Sequence, residues 1–334
     1  MSKKIVHKLD EHTAQLVRSG GNITNLHHAV EEMIYNSIDA DATCININLN
    51  PDTISITIAD NGIGISYNDL LNNVGTVINA TSKSYNNIYH NSNSNTRFYG
   101  SKGEALYNLC QLSSDMIIQS QCASKDSHLG IHHIKHISKN PKNGLNHVQM
   151  TQNTTTNDNN NNNSGTIITI KNLFYNNIIR ATNFKQQLRS EIKKIKDLIA
   201  NLSVFRYDIL FTFTLGNIES NSNFPNVIYD NNENNLRIEP TTSVASRIIS
   251  MHGTNILSCM REINVKVGVC EIKGFLSPPK LEYCSTTPKS GNGCRYMFVN
   301  QWCIKQDDFI LRIALESFYS ELNNISHGKY ILKV

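Results

Sequence analysis

Four groups of residues have the types and spacing to do chemistry. Glu32 and Asn36 lie four residues apart, and Asp39 follows three later. On a helix the three fall within an arc of about 60°. They make a polar face beside an apolar stripe, where a ligand could border the core; a solvated helix flank has the same pattern. The second group is Asp60-Asn61-Gly62-Ile63-Gly64. Asp60 ends an alternating strand, so its carboxylate projects from a rigid edge. The two glycines admit positive φ and close approach of a ligand, although an ordinary Asp-Gly turn reads alike. The third is Phe98-Tyr99-Gly100-Ser101-Lys102-Gly103-Glu104-Ala105-Leu106. Two glycines and a lysine precede a helix N-terminus, where free N–H groups and the helix dipole favour phosphate. The GxxxxGK[ST] order of a Walker A loop is missing. The fourth is Gly165-Thr166, which opens a strand and can set a hydroxyl under a planar ligand.

The elements that must position these groups follow from periodicity. Leu26, Ala29, Val30, Met33, Ile34 and Ile38 recur at helical spacing and predict a helix over 25–40, with Thr24 or Asn25 as its N-cap. Ile45, Ile47 and Leu49 alternate with polar residues, as do Ile54, Ile56 and Ile58, and Asn50-Pro51-Asp52 makes a turn between them. That is an antiparallel hairpin. A helix, then a hairpin with chemistry at its end, predicts an α+β sandwich. Further on, 79–95 reads as a polar loop, 103–112 as a short helix, and 116–119, 131–137 and 166–170 as strands. Residues 151–164 form a low-complexity insertion. A long helix is expected over 184–202, with Lys185, Arg189, Lys193, Lys194 and Lys196 on its polar side. Beyond it, 209–215 reads as a strand, 244–251 as a helix, 265–276 as two β segments, 296–299 as a strand, 309–322 as a helix and 330–334 as a last strand. The expected division is a first domain over 1–204 and a second over 205–334. The chain stops on a strand without a polar tail, which suggests a piece of something longer.

Composition narrows the classes. The chain has 334 residues, enough for two domains, and 39% hydrophobic residues. Asparagine occurs 46 times, with runs at 157–163 and 231–235. Such tracts bury too little apolar surface to offset ordering entropy, so folded domains with polar insertions are expected. No apolar run approaches the roughly 20 residues of a membrane span, and Met1-Ser2-Lys3-Lys4 opens no signal-peptide core. The eight cysteines are scattered without a CxxC pair, which argues against a zinc ribbon or disulfide scaffold. His128, His132, His133 and His136 invite a metal reading, but strand or loop spacing splays them and no carboxylate supports them. A net charge of +4 permits nucleic-acid contact without requiring it.

Taken singly, each chemical group is a weak signal, but their order is specific. E-x-x-x-N on a helix, D-x-G-x-G after a hairpin, a polar loop, G-x-x-G at a helix N-terminus and G-T on a later strand together resemble the GHKL (Bergerat) ATPase superfamily. Within it the chain resembles the MutL homologues of DNA mismatch repair. Glu31-Glu32 to Asn36-Ser37-Ile38-Asp39-Ala40, Ala80-Thr81-Ser82-Lys83, the Gly-x-x-Gly-Glu-Ala-Leu block, Asn172-Leu173-Phe174-Tyr175-Asn176 and Phe298-Val299-Asn300 carry the likeness. It is most similar to the third eukaryotic homologue, the MutL-gamma subunit. The resemblance implies a GHKL α/β sandwich followed by a transducer domain like the second domain of ribosomal protein S5.

It also implies roles. Glu32 would be the general base that orients water toward the γ-phosphate. Asn36 would give an oxygen to Mg²⁺. Asp60 would accept from the adenine N6 amino group, with Gly62 and Gly64 shaping the base pocket. Thr81, Ser82 and Lys83 match the lid that closes over ATP. Gly100, Ser101, Lys102, Gly103, Glu104, Ala105 and Leu106 would give N–H groups to the phosphates, and Thr166 would hold the adenine side through water. The function implied is an N-terminal ATPase region that dimerises on ATP and clamps DNA, with a role in mismatch repair and meiotic crossover resolution. Its partners would be another MutL homologue, as a heterodimer, and double-stranded or mismatched DNA, in the nucleus and away from membranes.

The chain departs from the family pattern in places. G-F-R-G becomes Gly100-Ser101-Lys102-Gly103, which keeps charge and loses the forked guanidinium. The proline after FYN-x is Ile178, and FVN-G-R becomes Asn300-Gln301-Trp302. The family's γ-phosphate lysine falls just beyond Val334, so weak hydrolysis is expected of these residues alone. These departures motivate a second reading, a scaffold or DNA-binding subunit of a MutL heterodimer with little ATPase of its own.

Overall fold

The computed structural model describes residues 9–75, 104–123, 131–140, 146–154, 164–216, 235–254, 260–267 and 270–276, with short stretches near 298 and 302. The expected lid residues Thr81, Ser82 and Lys83, the Gly100–Gly103 loop, the element at 309–322 except Ile313, and that at 330–334 lie outside the described residues.

Helix α1 (Glu11–Asn22) is capped by Asp10. Helix α2 (Leu26–Asp39) follows, and its N-cap is Asn25, whose side chain accepts from His28 N. Strands β1 (Cys44–Asn50) and β2 (Ser55–Asp60) form the expected hairpin. Ile54 sits in the turn at positive φ rather than in the strand. Then come α3 (Tyr67–Asn72) and α4 (Ala105–Leu112). Strands β3 (Asp115–Gln121), β4 (Ile131–Lys139), β5 (Asn146–Thr154) and β6 (Gly165–Lys171) follow. Strand β5 covers 151–154, so the low-complexity insertion begins later than expected. Helices α5 (Ile178–Gln186) and α6 (Leu188–Phe205) replace the single helix expected over 184–202. No side chain between Phe184 and Glu191 is buried to hold the turn in register. There Gln187 N bonds to both Asn183 O and Phe184 O. Strands β7 (Leu210–Leu215) and β8 (Leu236–Ile238) complete this part.

One sheet collects these strands in the order β5-β4-β3-β6-β2-β1-β7-β8. Its neighbours are antiparallel except β1 and β7, which run parallel. Residues aligned across strands share a face. Lys135, Ile118, Ile168, Ile58, Ile47 and Phe213 form one such row across six strands, and all are buried. Against this face lies the apolar stripe of α2, with Leu26, Ala29, Val30, Met33, Ile34 and Ile38 buried. Each of the larger side chains contributes on the order of 2 kcal/mol by leaving water.

The sheet corrects the expected boundary at 204/205. Strand β7 pairs with β1 and β8 pairs with β7. The first unit therefore comprises 1–199 and 209–239, and the second 200–208 and 240–334. Sequence position misled because the chain leaves the first unit along α6 and returns for two strands. The second unit contains α7 (Val244–His252), the hairpin of β9 (Arg261–Val267) and β10 (Cys270–Leu276), and the pair β11 (Phe298–Val299) and β12 (Trp302–Cys303). Within it Arg247, 2% exposed, donates to Ser203 O and Tyr207 O. Among the described residues no helix is long and apolar enough to cross a membrane.

Candidate nucleotide site

Two residues along from the apolar row, the same face of the sheet turns polar. Asp60, Thr166 and Ser120 stand side by side on β2, β6 and β3. They are 5%, 6% and 1% exposed. A buried carboxylate must be hydrogen-bonded, and Asp60 is. Ser37 Oγ donates to its Oδ2 at 2.9 Å, and Gly62 N donates to its Oδ1 at 3.0 Å. Ser37 lies on α2 one residue past Asn36, so the helix and the strand end are joined at this carboxylate. Ser120 Oγ lies 3.0 Å from Thr166 Oγ1 and accepts from Ile65 N at 2.8 Å.

The glycines beside Asp60 are there for close approach. A Cβ on Gly62 would stand 2.5 Å from Ala40 O, at the end of α2. Gly64 has φ of 72°, and a Cβ there would stand 2.0 Å from Gln121 O. Asn61 ties the turn to the start of β1, its Oδ1 accepting from Thr43 N and Cys44 N.

On α2, Glu32 and Asn36 occupy the half-buried flank of the stripe, as does Asp39. Asn36 Nδ2 is buried and has no hydrogen-bond partner among the described residues. An orphaned buried amide is costly, and an anionic ligand would satisfy it. The oxygen of the same amide suits a hard cation, so Asn36 fits an Mg²⁺–phosphate group. His28 Nε2 lies 3.4 Å from Glu32 Oε1, one helical turn away, and both side chains are about one-third exposed. The neighbouring Glu31 is buried instead and accepts from the Tyr35 hydroxyl.

Glu104 is the N-cap of α4 without a side-chain cap bond, and Ala105 and Leu106 open the helix. The first-turn amides of any helix lack intrahelical acceptors. Of the expected site residues, the structure thus brings together Glu32, Asn36, Asp60, Gly62, Gly64 and Thr166 on α2 and the adjoining strand ends. It describes Glu104, Ala105 and Leu106 at the start of α4. Sequence reasoning did not single out His28, Ser37 or Ser120. The i, i+4 spacing of His28 to Glu32 could have flagged the first. The alternation of β3 could have put Ser120 on the core face, two residues past Ile118. Ile178 takes the first helical position of α5, where proline is favoured. Asn177, accepting from Arg180 N, caps that helix in its absence. Of the four histidines, His132, His133 and His136 lie on β4, and His128 lies outside the described residues.

Known proteins resemble this chain in sequence and in fold. Residues 23–166 match the family described as histidine kinase-, DNA gyrase B-, and HSP90-like ATPase. The DNA mismatch repair protein Mlh3 of Homo sapiens is 27% identical over 302 residues, covering 89% of this chain and 18% of that protein. MutL of Bacillus mycoides is 24% identical over 97% of this chain and 43% of its own length. The chain therefore spans less than half of either relative. Among solved structures, the Aquifex aeolicus MutL ATPase domain complexed with ADP superposes with a TM-score of 0.54. It covers 87% of this chain and 86% of that one at 17% identity, a likeness of fold. The buried Asp60 row, the glycine turn and the α2 flank lie within or at the ends of the matched ATPase segment. Residues 23–166 thus form a domain of that ATPase family, and the chain as a whole is similar to MutL-type mismatch-repair proteins, the third eukaryotic homologue among them.

Proposed function

We propose that this chain is the N-terminal ATPase region of a mismatch-repair MutL homologue, binding and hydrolysing ATP with Mg²⁺. The observation that carries the reading is the join at Asp60. A buried carboxylate, held by Ser37 and Gly62, sits beside Thr166 and near an α2 flank whose Asn36 amide has an orphaned donor. Asp60 accepts from the adenine amino group, which selects adenine over guanine because a carboxylate only accepts. Gly62, Gly64 and Thr166 shape the base side. The loop from Gly100 through Leu106 gives N–H groups to the phosphates, and Thr81, Ser82 and Lys83 close over them. Glu32 aligns the attacking water and takes its proton. Asn36 would hold Mg²⁺ through its amide oxygen; the ion, when bound, supplies charge neutralisation at the phosphates.

Binding of ATP favours pairing of this region with that of another MutL homologue around duplex or mismatched DNA, and hydrolysis releases it. The setting is nuclear repair, with crossover resolution as a further use. The second unit serves as the S5-like transducer. The basic side chains Lys185, Arg189, Lys193 and Lys196 on α5 and α6 offer contacts to DNA phosphates.

Thermal melting with millimolar ATP and Mg²⁺, followed by turnover of Glu32→Ala, tests the reading. ATP is expected to raise the melting temperature in both proteins, with turnover at least about 100-fold lower in the variant. Full turnover in Glu32→Ala removes Glu32 from its role. No shift with ATP favours the scaffold reading.

A further inference from the structure

Helix α2 is fixed at both ends. At its C-terminal end Ser37 donates to Asp60, and Ile63 N donates to Ala40 O at 2.9 Å. At its N-terminal end the first turn contains no acidic residue of its own, although the helix dipole favours one there. Another helix supplies it. Glu191, in the first turn of α6 and 5% exposed, accepts from His27 N at 3.2 Å. The same oxygen lies 3.1 Å from His27 Nδ1, and the other accepts from Lys194 Nζ at 2.9 Å. Both carboxylate oxygens are thereby engaged.

We infer that Glu191 is a positioning residue for the nucleotide site, setting the tilt of α2 and thereby the placement of Glu32. This rests on the reading of Glu32 as the water-orienting base. Glu32 lies between the two anchors. With Glu191 gone, the N-terminal half of α2 keeps its apolar packing but loses its polar anchor to α6, and the junction at Ser37 becomes the pivot. Five residues separate Ser37 from Glu32, roughly 7.5 Å along the axis. A tilt of about 10° then moves Glu32 by roughly 1.3 Å and leaves Ser37 and Asp60 in place. Misplacement of about 1 Å costs on the order of 100-fold in a positioned reaction. The adenine side, set by Asp60 and the glycine turn, is untouched. The loss should fall on turnover rather than on binding, a split that a purely structural role does not produce.

The test compares Glu191→Gln and Glu191→Ala with the unmodified chain, by single-turnover ATP hydrolysis, ATP titration and a thermal melt. Glu191→Gln keeps size and one acceptor oxygen, so it carries the test if the alanine variant does not fold. The expected result is turnover reduced about tenfold or more, with the Kd for ATP within twofold. Adding Glu191→Gln to Glu32→Ala should cost nothing further. Turnover within twofold of the unmodified chain in the folded Gln variant overturns the inference. So does a loss of ATP affinity in step with turnover, or an additive loss in the double variant. Glu32→Ala alone, run alongside, separates the two ideas: full turnover there defeats the parent reading, whatever Glu191 does.

Discussion

Buried acids in this protein do two kinds of work. Asp60 is held by a serine and an amide at the edge of a site, whereas Glu191 is enclosed by donors from α2 and its own helix. Burial pushes the Glu191 carboxyl up, but hydrogen bonds from His27 and Lys194 more than offset this and bring it from 4.5 down to about 2. Because the folded value lies below the unfolded one, the stabilisation is fully present above pH 4.5 and is lost as pH falls through 2. A gap of this size is worth about 3 kcal/mol, of which about 2 kcal/mol goes between pH 7 and pH 3. Urea unfolding at those two pH values checks it. The unmodified chain should lose about 2 kcal/mol more than Glu191→Gln, and equal losses would remove Glu191 from the acid response. Asp60, Gly62 and Gly64 drew notice in the sequence only through their order with E-x-x-x-N, G-x-x-G and G-T, since alone they read as an ordinary Asp-Gly turn. Glu191 was not: its partner His27 is 164 residues away, and only the fold brings them together.

At the scale of elements, Lys135 shows how a polar residue enters a core row. Its side chain is fully buried beside Ile118. Its Nζ donates to Leu70 O, Leu71 O and Val74 O at 2.7, 3.1 and 2.8 Å. These are carbonyls at and beyond the end of α3, where a cation also suits the helix dipole. Burial lowers the Lys135 pKa, and the three acceptors are what keep the ammonium there. Lys135→Met should fill the space and leave the carbonyls unpaired, destabilising by about 2–3 kcal/mol; an unchanged urea midpoint would contradict the capping role. The helices and strands with strong periodicity, α2 and the β1–β2 hairpin, were legible. Helix α1 was not, because its Gly20-Gly21 reads as a stop. Gly20 is accommodated because the Arg180 guanidinium lies close over it and donates to Ile23 O. Strand β5 was hidden for another reason: it is an edge strand, largely exposed, and its pairing with β4 runs through the backbone. Helix α3 carried a readable sign in Ser66, whose hydroxyl caps Asp69 N, but six residues are too few for a periodic pattern.

For the whole molecule, neither unit is a continuous stretch of the chain. A cut after residue 204 looks natural in the sequence and removes β7 and β8 from the sheet. The exposed edge of β1 would then be open to pairing with other chains. Fragments ending at 204 and at 239 should differ accordingly. The shorter one is expected to aggregate and to melt at lower temperature, the longer one to stay monodisperse on size exclusion; equal behaviour would count against β7 as an integral strand. The parallel pairing of β1 with β7 also sets a timetable for synthesis. Asn48 and Thr214, hydrogen-bonded across that pair, are 166 residues apart. At roughly 5–20 residues per second, β1 waits on the order of ten to thirty seconds for its neighbour to be made. During that interval β1 is the open edge of the nascent sheet, which makes newly made chains of this protein dependent on whatever shields such edges in the cell.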